Sequence, residues 1–230
     1  MRTLHWALAL AASMALTPAA VAAESEQADG VQGDPEAGKE LVMQGKPDNP
    51  QVLACKTCHG KDGKGNAMAN FPRLAGQDPA YQVKQLKNFA AGERENYPQM
   101  NNIAGGMSEQ EMHDVAAYYA RKDVSVVGGS DASQDVLAKG ERIAKVGVSE
   151  SNVPACTSCH GPKGKGVPPV FPQIGGQHAG YIEKQLNDWK GGNRANDPAQ
   201  MMTEIAPKLS DDQIAAAAAY FSNAESGGSD

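Results

Sequence analysis

The chain writes one plan twice. "ACKTCHGKDGKG" begins at Ala54 and "ACTSCHGPKGKG" at Ala155, and setting Cys55 against Cys156 brings two halves into step. "NFPRLAGQ" meets "VFPQIGGQ", "YQVKQLKNF" meets "YIEKQLNDW", and "MSEQEMHDVAAYYA" meets "LSDDQIAAAAAYFS". Self-similarity on this scale marks a tandem duplication, so the chain is expected to fold as two copies of one small unit. Aromatic bulk is scarce: the 230 residues include 2 Trp, 6 Tyr and 4 Phe. A unit of roughly 100 residues buries too little surface to be comfortably stable on such side chains. Something large and apolar is expected to complete each core.

The ends of the plan follow from composition. "MRTLHWALALAASMALTPAAVAAES" has one early cation, Arg2, an apolar run from Leu4 to Leu16, and then small residues. This is the layout of a secretory signal peptide, and the run is shorter than the ~20 residues that a membrane span needs. "DVSVVGGSDASQD" reads as a linker and "ESGGSD" as a frayed tail. The expected scheme is a cleaved signal peptide over 1–23, a first domain over 24–124, a linker over 125–134 and a second domain over 135–230, delivered to the periplasm. Loss of Arg2 takes the net charge from −6 to −7. So acidic a chain excludes nucleic acid as a partner, because phosphate binding needs a basic face.

Each half reads as helices without a strand. A first helix is predicted from Asp34 with Pro35 at its first position, and from Ser133 in the second copy. A middle helix runs from Asp78-Pro79 to Gly92, with Val83, Leu86 and Phe89 on one face; its twin carries Ile182, Leu186 and Trp189. The last helix opens on Ser108 with Glu111 three residues on, and on Ser210 with Gln213, both with capping-box spacing. The Gly- and Pro-rich stretch between motif and middle helix is loop that wraps something.

"CKTCH" and "CTSCH" are both C-x-x-C-H, and three chemistries compete for them. Four cysteines in an exported chain could form two disulfides. Paired C-x-x-C could form a zinc site, but the usual gap is ~15–20 residues, and Cys58 and Cys156 stand far further apart. The third is covalent haem c, in which two thioethers tether the porphyrin and the adjacent His ligates the iron. Two copies in the same context, with no spare cysteine, select haem. The expectation is two covalently bound haem c groups, held by Cys55, Cys58, Cys156 and Cys159, with His59 and His160 on the irons. The porphyrin would then be the missing core.

A sixth ligand is expected to be a Met on the loop before the last helix, on the opposite haem face. Counting back seven residues from Met107 and from its twin Leu209 gives Met100 and Met202. Counting forward from "NYP" and "NDP" allows Met201 instead, and Met107 and Met68 are lesser candidates in the first half. A Met beside a haem can also be soft filler. Arg94 and Arg194 recur, each followed by Asn96 or Asn196; they would bind haem propionates or be solvated loop residues. Tyr81/Tyr181 and Gln85/Gln185 recur as packing or hydrogen-bonding residues at haem edges, while His113 and His178 lack His twins and read as surface.

On the paired motifs, "FPRLAGQ" and "FPQIGGQ", the "KQL" helices, "GNRANDPAQMM" and the "KLS…AAYF" ending, the chain resembles the dihaem cytochromes c4. These are tandem class I c-type cytochromes of bacterial periplasms, and the resemblance runs from about Asp34 to Ser222. It departs in "GERENYPQMNNIAGGMS", which bears on the first Met ligand. The resemblance implies an all-α chain of two class I cytochrome c domains, each a few helices and loops wrapped around one covalent haem, with the haems facing one another. It implies His/Met ligation and a Pro carbonyl accepting from each ligand His, for which Pro72 and Pro172 match. It places Gly38 against Tyr118 or Tyr119, and Gly140 against Tyr220 or Phe221, where first and last helices cross.

The function expected is an electron carrier rather than an enzyme, working between a quinol-oxidising complex or other donor and a terminal oxidase, with loose membrane association. The rivals are a dihaem peroxidase, which would need an iron that opens, and a subunit bound permanently to a dehydrogenase or oxidase. Lys56, Lys61 and Lys64 beside the first motif, and Lys163 and Lys165 after the second, are either a docking patch or a solvated face.

Overall fold

The structure, a computed structural model, describes residues 32–122 and 129–224. The signal peptide, part of the linker and the tail lie outside the described residues. The first half contributes α1 (Pro35–Gln44), α2 (Lys56–His59), α3 (Pro79–Ala90), α4 (Pro98–Gly105) and α5 (Glu109–Ala120). The second contributes α6 (Gln134–Val146), α7 (Thr157–His160), α8 (Ala179–Lys190), α9 (Met201–Ile205) and α10 (Asp211–Asn223), with short 3₁₀ turns between them. Among the described residues there is no strand, only isolated bridges such as Asn66 with Phe71 and Val167 with Phe171.

Local chemistry explains most helix starts. Asp34 accepts from the backbone N–H of Glu36 at 2.9 Å, and Pro35 stands where no donor is needed. Asp78 accepts from Tyr81 N–H at 2.9 Å ahead of α3. Both capping boxes form, Ser108 with Glu111 and Ser210 with Gln213. The helical α4 and α9 are a correction, since that stretch reads as loop in the sequence; Pro98 at the first position of α4 was the available signal.

In each half the first helix crosses the last, α1 over α5 and α6 over α10. The crossing is too close for a side chain. A Cβ on Gly38 would stand 2.0 Å from the Asp114 carbonyl oxygen, and one on Gly140 would stand 2.0 Å from that of Ala216. At Gly140 the nearest atoms include Tyr220 Cβ, as expected, and at Gly38 the three nearest are backbone atoms of Asp114 and Val115. The first core gathers Leu41, Val42, Val52, Met112, Val115 and Tyr119. The second gathers Ile182, Leu186, Leu209, Ile214 and Phe221.

The described segments belong to one compact unit, and reciprocal hydrogen bonds join the halves. Gln77 donates to the Gln173 carbonyl at 2.9 Å and accepts from Gln173 N–H at 3.0 Å. Gln177 donates to the Arg73 carbonyl at 3.1 Å and accepts from Arg73 N–H at 2.9 Å. All four residues are buried, so these amides satisfy backbone groups that water cannot reach.

Candidate functional site

The Cys-x-x-Cys-His motifs are single helical turns, α2 and α7, and each ends at a positive-φ glycine, Gly60 or Gly161. The turn brings both cysteines and the histidine to one wall of a cavity of about 720 Å³ that runs through both halves. Cys55, Cys58, His59 and Met100 line it from the first half; Cys156, Cys159, His160, Met201 and Met202 line it from the second. Every site residue expected from the sequence is therefore brought to one cavity. Met107 lines it too, from the first core. Met68 does not: it is 98% exposed, which removes it as a candidate.

No disulfide joins the four cysteines. Burial pushes the Cys55 and Cys156 thiols up to about 11. The imidazoles are held by one nitrogen each. His59 Nδ1 lies 3.1 Å from the Pro72 carbonyl, and His160 Nδ1 lies 2.9 Å from that of Pro172. A carbonyl can only accept, so Nδ1 carries the proton and Nε2 keeps its lone pair. Burial lowers both pKa values and outweighs the opposing carbonyl bonds, which keeps the rings neutral and fit to ligate a metal.

The two expected methionines are anchored alike. Met100 and Asn101 donate their N–H groups to the Tyr97 carbonyl, at 2.8 and 3.3 Å. Met202 and Thr203 donate theirs to one carboxylate oxygen of Asp197, at 2.6 and 3.0 Å. Met201 lines the same cavity and donates its N–H to the Pro198 carbonyl. Met202 also packs against the second core, as do Trp189 and Ile205.

Between the halves lies a polar cluster that the sequence did not place. Arg94 and Arg194 are 3% and 4% exposed, which overturns the solvated-loop alternative. Arg94 donates to Gln85 Oε1 at 2.8 Å, Gln185 Oε1 at 2.7 Å and the Tyr181 hydroxyl at 3.1 Å. Arg194 repeats this with Gln185 at 2.8 Å, Gln85 at 3.1 Å and Tyr81 at 3.4 Å. Each also donates to its own Asn96 or Asn196. Among the described residues no carboxylate accepts from either guanidinium. Burial, then the neighbouring Arg94, lowers the pKa of Arg194. Two buried cations joined through neutral amides call for an anionic group, since an uncompensated buried charge is costly. Both line the cavity, as does Trp189, whose buried Nε1 has no acceptor. The cavity therefore fits a large apolar group with acidic edges, tethered by thiols and ligated by imidazole.

His178 is a further correction. It is 5% exposed, and its Nε2 lies 2.8 Å from the Lys64 carbonyl in the other half. His113 is also partly buried, its side chain 18% exposed.

The Cytochrome c family model matches residues 35–120 and again 138–225. Fold and site thus define a chain of two tandem cytochrome c domains carrying two covalently bound haem c groups. A thiosulfate dehydrogenase electron acceptor from Stutzerimonas stutzeri is 42% identical over 97% of this chain and 96% of its own length. The crystal structure of reduced cytochrome c4 from Pseudomonas stutzeri superposes with a TM-score of 0.72, at 37% identity, over 84% of this chain and 99% of that one. Thiosulfate dehydrogenase (TsdBA) from Marichromatium purpuratum gives 0.73 at 37% identity over 81% of this chain, which spans only 39% of that longer one. The chain belongs to the dihaem cytochrome c4 family, and it is a c-type electron carrier. Among the described residues no helix is long and apolar enough to cross a membrane.

Proposed function

We propose that the protein is a periplasmic two-centre carrier that moves single electrons and transforms no substrate. Cys55 and Cys58 tether one haem and Cys156 and Cys159 the other; His59 with Met100, and His160 with Met202, ligate the two irons. One observation carries this reading: each half brings a Cys pair, a His committed to a proline carbonyl and an N–H-anchored Met to one apolar cavity. Bound haem supplies a reversible one-electron couple. The residues do the rest. The proline carbonyls fix the imidazole tautomer, the apolar walls exclude water, and a thioether on the sixth position raises the potential. Arg94, Arg194 and Trp189 Nε1 are donors for propionates. A His and a Met held for each iron would leave peroxide no open position, which would separate a carrier from a peroxidase.

The mature chain is proposed to follow a signal peptide over 1–23, with domains over 24–124 and 135–230 joined by 125–134. Its donor is a thiosulfate dehydrogenase, as the 42%-identical relative's name suggests, or a quinol-oxidising complex. Its acceptor is a terminal oxidase, approached with loose membrane association. The purified protein should show two haem additions in its intact mass, and acid–acetone should extract none. Met100→Ala and Met202→Ala should each remove about half of the ferric far-red sulfur-to-iron band. A mass with disulfides and no haem, or a Met202→Ala protein with its band whole, would reject the assignment.

A further inference from the structure

The two methionine loops differ in length, and the difference is confined to a few residues. Six residues separate Asn96 from Ile103, and eight separate Asn196 from Ile205. The extra pair is absorbed where Ala199 and Gln200 both take left-handed φ values, +51° and +56°. Non-glycine side chains disfavour that region, and the first half has no such pair over 97–102. The insertion carries the Asp197 carbonyl away from Met202: it accepts only from Gln200, at 3.4 Å. In the first half the Tyr97 carbonyl still reaches Met100 N–H.

We infer that the Asp197 carboxylate is the positioning group of the second centre, a side chain doing there what a main-chain carbonyl does in the first. Its Oδ2 holds Met202 N–H and Thr203 N–H, and its Oδ1 takes the Thr203 hydroxyl at 2.6 Å. These bonds pin the left-handed pair and aim Met202 at the cavity. Without them the loop relaxes, and the sulfur leaves its place more often. The first centre has no such dependence, because no substitution at position 97 removes a backbone carbonyl. The inference rests on Met202 being the iron ligand.

Imidazole tests it, because it binds a ferric centre only by displacing the sulfur. In the full dihaem protein, Asp197→Ala should let one centre bind imidazole at least tenfold more tightly and leave the other unchanged. Asp197→Asn should restore near-normal affinity, since a flipped amide offers its oxygen to the two N–H groups and its NH₂ to the Thr203 hydroxyl. Thr203→Val, which loses one bond of the three, should tighten imidazole severalfold at the same centre. It stands in if Asp197→Ala yields no holoprotein. Unchanged imidazole affinity in Asp197→Ala and Thr203→Val, or equal tightening at both centres, would overturn the inference. Met202→Ala keeps the two questions apart. If it loses half of the far-red band while Asp197→Ala does nothing, only the positioning role fails; if it keeps the band, the ligand assignment fails.

Discussion

Replacing Gly140 by Ala would add one methyl group where α6 crosses α10. That methyl would stand 2.0 Å from the Ala216 carbonyl oxygen and 2.8 Å from Tyr220 Cβ, where ordinary contact begins at 3.4 Å. The first obstacle is backbone, which cannot rotate away as a side-chain tip can. The helices must part by more than an ångström, along a seam that also holds Ile143, Ala216 and Ala217. Overpacking costs about 1–3 kcal/mol, and a clash with backbone puts this case at about 3 kcal/mol. Alanine's better helix propensity returns about 1 kcal/mol, so the net loss is about 2 kcal/mol. For a cooperative unit of roughly 200 residues that lowers Tm by about 4–8 °C. Gly105, at the end of α4, provides the matched control, because a Cβ there meets nothing within 4 Å. Gly105→Ala should leave Tm unchanged or raise it by a few degrees. Thermal unfolding of the ferric dihaem protein, followed by far-ultraviolet circular dichroism, measures both. An unchanged Tm in Gly140→Ala, or an equal loss in Gly105→Ala, would refute the argument from close approach.

Other outcomes follow from the interface, the surface and one carboxylate. Gln77→Ala should remove the two hydrogen bonds that its side-chain amide makes to the Gln173 backbone, costing about 1–3 kcal/mol per group. Hydrogen exchange at the Gln173 amide should accelerate, and unaltered protection there would count against the bond. Lys61→Glu with Lys64→Glu should slow association with an acidic redox partner severalfold at low ionic strength and leave both potentials in place. A rate indifferent to salt and to these changes would mean that docking is apolar. For Glu111, burial raises the pKa, but bonds from the Ser108 backbone and hydroxyl and from Lys46 outweigh it and leave it low. A depressed carboxyl stabilises above its unfolded value and loses that contribution as pH falls through its folded value. The stability gap between wild type and Glu111→Gln should be about 0.5–1 kcal/mol near neutrality and close below about pH 4. A gap that does not change with pH would contradict the sign.

The sequence disclosed whatever a local pattern encodes. The motif cysteines and histidines and both capping boxes are short strings repeated in context; the boxes form, and the motif residues line one cavity with Met100 and Met202. What it hid depends on distant partners. His178 looks like a stray surface residue because its partner is a backbone carbonyl 114 positions away, and no periodicity announces a carbonyl. Arg94 and Arg194 left two options open, since burial between halves is a property of the assembled interface. Asp197 was invisible for a subtler reason. The repeat aligns it with Tyr97, whose side chain takes no part in holding Met100, so the comparison of twins hides a function that moved from main chain to side chain.

The reciprocal bonds between the halves have one more consequence. Gln77 meets Gln173 as Gln177 meets Arg73, and Arg94 reaches Tyr181 as Arg194 reaches Tyr81. This is the self-complementary contact of a twofold homodimer. In a homodimer every change appears twice, so the two electron ports must stay identical. Covalent fusion lifts that constraint. The position held by Asp78, which caps α3, is taken in the second half by His178, which reaches across to Lys64, a difference that need not be mirrored. A fused pair can therefore assign one end to entry and the other to exit, giving the path a direction that two identical subunits could not have.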